Sequence, residues 1–377
     1  MTRIDHPILR DTLLAGLMAL AVVLTTASCG RTLKPLPPGQ ALTLGERAEA
    51  IRRASVWTPV EVSSVDFKKG PDVEDGFEHD ALVTCDYKET LMHGQSRKFT
   101  CETRPGEAIK VKYGERNAEV YGEVLSSRLF WGLGFYADRM FPVRVSCRGC
   151  SHDPHKLPKS VPATTEFNPA AIERRLPGRV MEIAEDSGWR WSELEEIGPD
   201  SPENARAHRD GLKLLAAFVQ HSDSKPDNQR LFCLQGQEEG AKGCRAPALM
   251  IHDLGLTFGA ASFLDKAKHA VSFEHWQEEP IWKDGGKCIA QLKGSIKDHF
   301  SHPEISEAGR AFLAGLLIQL TDAQLRDLFE TARIDRRSAH ARDDPRDDLP
   351  VASVEQWVEA FKAKRADIVN HRCPPLL

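Results

Sequence analysis

His221-Ser222-Asp223-Ser224-Lys225-Pro226-Asp227-Asn228 sets two carboxylates, a lysine, an imidazole and an amide within one short polar turn. Before it, from about residue 204 to 220, Leu212, Leu215, Phe218 and Val219 recur at helical spacing, so a helix delivers the chain into the turn. After it come the strand-like run LFCL, a Gly-rich insertion QGQEEGAKG, and a second strand-like run ALMIHDLG. That order predicts a hairpin with Cys233 and Cys244 as its staple. The turn is therefore held between a helix end and a hairpin, with Asp253 at the end of the second strand. Asp and Asn are common in turns that do no chemistry, so the information lies in the order of these groups.

Upstream, LVTCDY, RKFTCE and AIKVKY read as three short strands, separated by turns at Met92-His93-Gly94-Gln95 and Pro105-Gly106. Strand alternation puts Lys110 and Lys112 on one side. A helix follows over 117–133, with Asn117 as its cap, Gly134 as its stop, and Val120, Val124, Leu125, Leu129 and Leu133 near one face. Glu119 and Glu123 share another face of that helix. Past Cys150 the chain becomes a loop rich in Pro, His and Lys and then mostly helical, with helices near 306–319, 321–332 and 353–369.

The segment 221–228 resembles the catalytic loop of the protein-kinase superfamily, H-R-D-x-K-x-x-N, with His221, Asp223, Lys225 and Asn228 in register and Ser222 in place of the arginine. Asp253-Leu254-Gly255 resembles the D-F-G element of the same family, with leucine for phenylalanine, and Ala108-Ile109-Lys110-Val111-Lys112 resembles its V-A-I-K strand. The resemblance implies that Asp223 orients the attacking hydroxyl, that Lys225 neutralises charge on the transferring phosphate, and that Asn228 and Asp253 hold magnesium. It also implies a strand lysine on the phosphates, Lys112 in preference to Lys110, held by a helix glutamate, Glu123 in preference to Glu119. A G-x-G-x-x-G loop is missing; its place falls to residues 92–98, where backbone amides with Ser96 and Lys98 would cover the phosphates. With no A-P-E after Asp253 either, the likeness shifts to the atypical branch that contains phosphatidylinositol kinases, HipA-type kinases and secreted-pathway protein kinases, and it spans roughly residues 85–259.

The chain has 377 residues, 41% hydrophobic and 28% charged, enough for a large core or two lobes. Its 50 basic against 55 acidic side chains give a net charge of -5, which excludes nucleic acid as an expected partner. Residues 12–27 form an apolar run after Arg3 and Arg10, too short to span a membrane, and read as a signal peptide. Thr26-Ala27-Ser28-Cys29 resembles a bacterial lipobox, which implies lipidation at Cys29 and a membrane-anchored protein of the cell envelope. Apart from Cys29, eight cysteines remain, and export makes disulfides the expectation. They fall into the sequence-close pairs Cys85 with Cys101, Cys147 with Cys150, and Cys233 with Cys244, leaving Cys288 for Cys373; other connectivities stay open.

These readings converge on an α+β, two-lobed kinase-like fold: a signal peptide to residue 28, a tether to residue 50, a strand-rich N-lobe over 51–150 and a helical C-lobe over 151–377. ATP and magnesium are the implied cofactors. The acceptor hydroxyl stays open among protein, lipid headgroup and small molecule. Two other readings share the fold: a catalytically silent nucleotide- or partner-binding lipoprotein, and a nucleotidyl (AMP) transferase.

Overall fold

The computed structural model describes residues 35–374 except 72–73, 91, 93, 95, 186, 199–201, 260–269, 295–299 and 338–351. The signal segment and Cys29 lie outside the described residues. Among those residues no helix is long and apolar enough to cross a membrane.

The architecture is α+β. Five strands, β1 (Leu82–Lys88), β2 (Lys98–Arg104), β3 (Glu107–Tyr113), β4 (Arg139–Arg148) and β5 (Thr164–Arg174), close a barrel in the order β1-β2-β3-β5-β4. All neighbours run antiparallel except β1 and β4, whose parallel pairing from Leu82↔Arg144 to Asp86↔Arg148 shuts the barrel. Alternation decides what goes inside: Phe99, Ile109, Val111, Tyr113, Val143, Val145 and Ile172 fill the interior, while Lys110 and Lys112 point outward.

Two expectations change here. The lobe read as three short strands is a closed barrel of five, and its fifth strand lies beyond residue 150, so the boundary expected there falls inside the barrel. Both follow from pairings between strands far apart in sequence, which local patterning does not carry.

The expected tether ending at residue 50 is also corrected. Helix α1 (Leu44–Arg52) is closed at its start by a reciprocal cap between Thr43 and Glu46, and Leu42, Ala50 and Ile51 are buried in the main core. Arg47 fixes it: Nε lies 2.6 Å from Glu182, Nη1 pairs with Glu193, and Nη2 donates to Gly188 O at 2.9 Å.

Helix α2 (Ala118–Gly132) starts on Asn117, whose Oδ1 accepts from Glu119 N, and it is buried on nearly every side rather than on one face. The barrel covers one flank. On another, Arg128 donates to Phe67 O, and Ser126 bonds Thr257 at 2.7 Å.

The chain leaves the barrel through Arg175-Leu176-Pro177 into β6 (Gly178–Val180), which pairs with β7 (Gln229–Leu234). Helix α3 (Pro202–Phe218) leads into the 221–228 turn, and β7 pairs antiparallel with β10 (Pro247–Ile251). Between them lies a small hairpin, β8 (Glu238–Glu239) with β9 (Gly243–Cys244). Beyond α4 (Phe273–Glu278) and the hairpin of β11 (Trp282–Asp284) with β12 (Ile289–Ala290), three helices close the chain: α5 (Glu307–Leu317), α6 (Asp322–Thr331) and α7 (Val354–Asn370). Gln324 on α6 donates to Val62 O and Val65 O at 2.8 and 2.9 Å, and Arg333 donates to Val143 O and Ala170 O at 3.2 and 2.6 Å.

Four disulfides join Cys85–Cys101, Cys147–Cys150, Cys233–Cys244 and Cys288–Cys373, matching the expected pairs. They mark a chain suited to an oxidising, extracytoplasmic environment.

Replacing Arg47 with Ala leaves the Glu182 side chain, 0% exposed, without its cation. The expected loss is about 3 kcal/mol of stability, the low end for a broken buried pair because Leu231 N and Ser187 still bond Glu182. Denaturant unfolding of the oxidised protein measures it.

Candidate functional site

The site begins with Lys112, the residue before the last of β3. Outward on the strand yet 0% exposed, its ammonium has lost water and needs carboxylates. Helix α2 brings them: Nζ lies 2.6 Å from Glu119 and pairs with Glu123, one helical turn apart, and it is 3.8 Å from Asp253. The start of α2 is tied to the barrel by Asn117 Nδ2, which donates to Arg97 O and Tyr113 O at 3.1 and 3.2 Å.

Two glycines let the helix and the Asp253 turn meet. A Cβ on Gly122 would lie 2.6 Å from Gly255 O, and a Cβ on Gly255 would lie 2.7 Å from Glu119 Cγ. Neither position admits a side chain without displacing α2 or the turn. This requirement was absent from the sequence reading, although Gly122 sits between the two glutamates and Gly255 two residues after Asp253.

The electrostatics are those of one coupled group. Burial alone would lower the Lys112 amine, but Asp253, Glu119 and Glu123 hold it well above the usual lysine range. Burial alone would raise the Asp253 carboxyl, but the Lys112 charge holds it well below the carboxylate range. Burial dominates at Glu123 and pushes its carboxyl well up. Donor atoms of Glu119, Glu123 and Asp253 lie within 4.8 Å of one another. Three oxygen donors at that spacing could hold a hard metal ion, with the proton that burial favours on Glu123 leaving as the metal binds.

The 221–228 turn is fastened to this group through Asn228. Its backbone oxygen accepts from His252 N at 2.7 Å and Asp253 N at 3.3 Å, and its Nδ2 donates to Asp223 O at 2.6 Å. Asp223 pairs with Lys225 at 2.7 Å. His221 is buried beside Trp191, with ring centroids 6.2 Å apart, and burial pushes its imidazole down to about 4, which favours the neutral ring.

Lys98 is the register partner of Lys112 on β2, and burial together with the Lys112 charge lowers its amine. Among the described residues it has neither an ion pair nor a hydrogen bond, which leaves a cation available to an anion. Ser96 is half-buried two residues before it, and His93 and Gln95 of the same turn lie outside the described residues.

Lys110 belongs to a second ionic group that sequence reasoning missed. It pairs with Glu173, its register partner on β5, while Asp138 bonds His252 Nδ1 through Oδ2 and accepts from Leu176 N at 2.9 Å through Oδ1. Glu173 was invisible because β5 itself was unassigned; His252, adjacent to Asp253, carried the one available signal.

Of the other donor sets, Cys147 and Cys150 form a disulfide rather than a zinc site. Cys288 and Cys373 are likewise joined beside His371.

No family model matches the chain, and no curated protein matches it. Among solved structures, the Helicobacter pylori proinflammatory kinase CtkA aligns with a TM-score of 0.38 and 9% identity, covering 78% of this chain and 95% of that chain. A likeness at that level carries no argument for a shared fold or activity.

Alanine at Gly122 should improve the helix by about 1 kcal/mol on intrinsic propensity, yet its Cβ meets the Gly255 carbonyl. The expected outcome is at least tenfold weaker manganese binding with the four disulfides retained. Calorimetric titration with manganese tests it, and unchanged affinity would show that the close approach is dispensable.

Proposed function

We propose that the chain is a phosphotransferase that moves the terminal phosphoryl group of a nucleoside triphosphate, ATP by resemblance, to a hydroxyl. The observation that supports this most is the junction of Lys112, Glu119, Glu123 and Asp253 with the Asp223 turn through the Asn228 carbonyl. One element supplies a cation and cation ligands for phosphate oxygens; the other supplies a carboxylate for the incoming hydroxyl.

In the proposed reaction, Asp223 accepts the proton of the acceptor hydroxyl, whose oxygen bonds to the terminal phosphorus as the bond to the bridging oxygen breaks. The nucleoside diphosphate leaves with that electron pair. Lys112 and Lys98 hold phosphate oxygens, Ser96 with its turn covers them, and Lys225 balances charge on the group in transit. Asp253, Asn228 and the α2 glutamates are the residues that would hold magnesium, which when bound neutralises phosphate charge. The acceptor is a protein, lipid headgroup or small-molecule hydroxyl in the envelope, reached by a protein anchored through lipidated Cys29.

Oxidised protein mixed with magnesium and terminally labelled ATP or GTP should move label to protein, lipid extract or water. Asp223→Ala should reduce transfer about 100-fold or more, as expected for removing a positioned acid–base group, and Asp253→Ala should abolish it. No transfer together with no magnesium-dependent nucleotide binding by the wild type would overturn the reading.

A further inference from the structure

Among the described residues five large apolar side chains stand exposed: Leu44, Leu82, Leu157, Ile183 and Ile318. Scattered exposed apolar residues need no explanation, but Leu157 differs from the other four. It alone has basic residues within two positions, Lys156 and Lys159, both exposed and neither in an ion pair among the described residues. The chain carries a net charge of -5, yet residues 151–163 hold two lysines against one carboxylate. That carboxylate, Asp153, is buried; it accepts from the Tyr113 hydroxyl at 2.6 Å and lies 3.6 Å from Arg97. Glu89 also touches the loop, where its Oε1 accepts from Ser160 N at 2.9 Å.

The loop is held in shape by its own bonds. The Cys147–Cys150 disulfide closes its base, while Gly149 N donates to Ala163 O at 2.7 Å and Val161 N donates to Gly149 O at 3.0 Å, joining its two ends. At the tip, Leu157 N donates to Asp153 O at 2.9 Å and Leu157 O accepts from Lys159 N at 2.8 Å. The Leu157 backbone is thus fixed while its side chain stays 41% exposed. An apolar group presented rigidly between two ammonium groups loses little freedom on binding. It matches a surface that is anionic outside and apolar beneath, as an anionic phospholipid bilayer is, where lysine stems lie along the apolar layer and their heads reach the headgroups. A bilayer is also the surface that a lipidated Cys29 would keep within reach. Thirteen residues separate Cys29 from Leu42, whose N–H bonds Glu182 O at 3.0 Å, a span of up to about 45 Å.

We propose that residues 152–163 form a membrane-docking loop, with Leu157 entering the acyl region of an anionic phospholipid bilayer and Lys156 and Lys159 on its headgroups. The contact is separate from a lipid at Cys29 and does not rest on the phosphotransferase reading. It sets the orientation of the barrel. Tyr113 and Arg97, which hold Asp153, are the chain neighbours of Lys112 and Lys98, so docking turns that end of the barrel toward the bilayer.

The test uses the full oxidised chain with vesicles of phosphatidylcholine, alone or mixed with phosphatidylglycerol, so that the N-terminal segment contributes equally throughout. Leu157→Trp places a reporter at the tip, read as the difference from the wild-type chain, and bromine on the acyl chains quenches it where it enters the bilayer. The added emission should fall about twofold or more in the anionic vesicles. It should stay unchanged in phosphatidylcholine alone, or when Lys156→Glu and Lys159→Glu are added. A second measurement needs no substitution: a water-soluble acylating reagent should modify Lys156 and Lys159 of the wild type about fivefold or more slowly on the anionic vesicles. Exposed Lys68, paired with Asp327 and Glu330 of α6, is the unchanged reference. Absence of quenching in the anionic vesicles, or equal quenching with and without phosphatidylglycerol, overturns the proposal. Should Leu157→Trp lose its fold by disulfide mapping, the labelling decides, and unprotected Lys156 and Lys159 overturn it.

Discussion

A fully buried ammonium is the constraint around which this molecule is arranged. Lys112 leaves a barrel strand pointing outward, where solvent would ordinarily meet it, and is instead roofed by α2. An unpaired charge at that depth is prohibitive, so the roof must carry carboxylates, and it must come close. Glu119 and Glu123 meet the first demand and the facing glycines at 122 and 255 meet the second. The same closeness draws in Asp253, and with it the hairpin and the turn that carries Asp223.

The helix so recruited is held from behind as well. Arg128 reaches from α2 to the Phe67 carbonyl, while Gln324 pins the 62–65 segment and Arg333 grips carbonyls of β4 and β5. These are long side chains donating to backbone oxygens across elements distant in sequence. They tie α2, the barrel and the terminal helices into one packed unit, so the carboxylates above Lys112 stay where the strand needs them.

Local chemistry was legible in the sequence; long-range pairing was not. The alternation in AIKVKY separated Ile109 and Val111 from Lys110 and Lys112 correctly, Asn117 was visible as a cap, and cysteine spacing anticipated three of the disulfides, with Cys288–Cys373 left by elimination. Barrel closure depends on β5, whose run TTEFNPAAIER contains Pro169 and mixes polar with small residues, so its pattern argues against a strand until its partners are known. The second ionic group vanished with it, since Glu173 has meaning only opposite Lys110. Helix α1 was lost to a different cause: a Pro/Gly-rich stretch ends abruptly at Leu42, and the burial of Glu182 that anchors α1 lies far along the chain.

The parallel seam between β1 and β4 has a consequence of its own. A sheet left open would present a rim of unsatisfied N–H and C=O groups, a template onto which any extended segment can zip. Here β1 is bonded on both flanks, to β2 and to β4, so the barrel has no rim. An extended segment therefore cannot join the barrel as a sixth strand, and any strand addition would have to use the outer edges of the β10-β7-β6 sheet. The same seam removes edge-to-edge pairing of the barrel with a second copy as a route to aggregation.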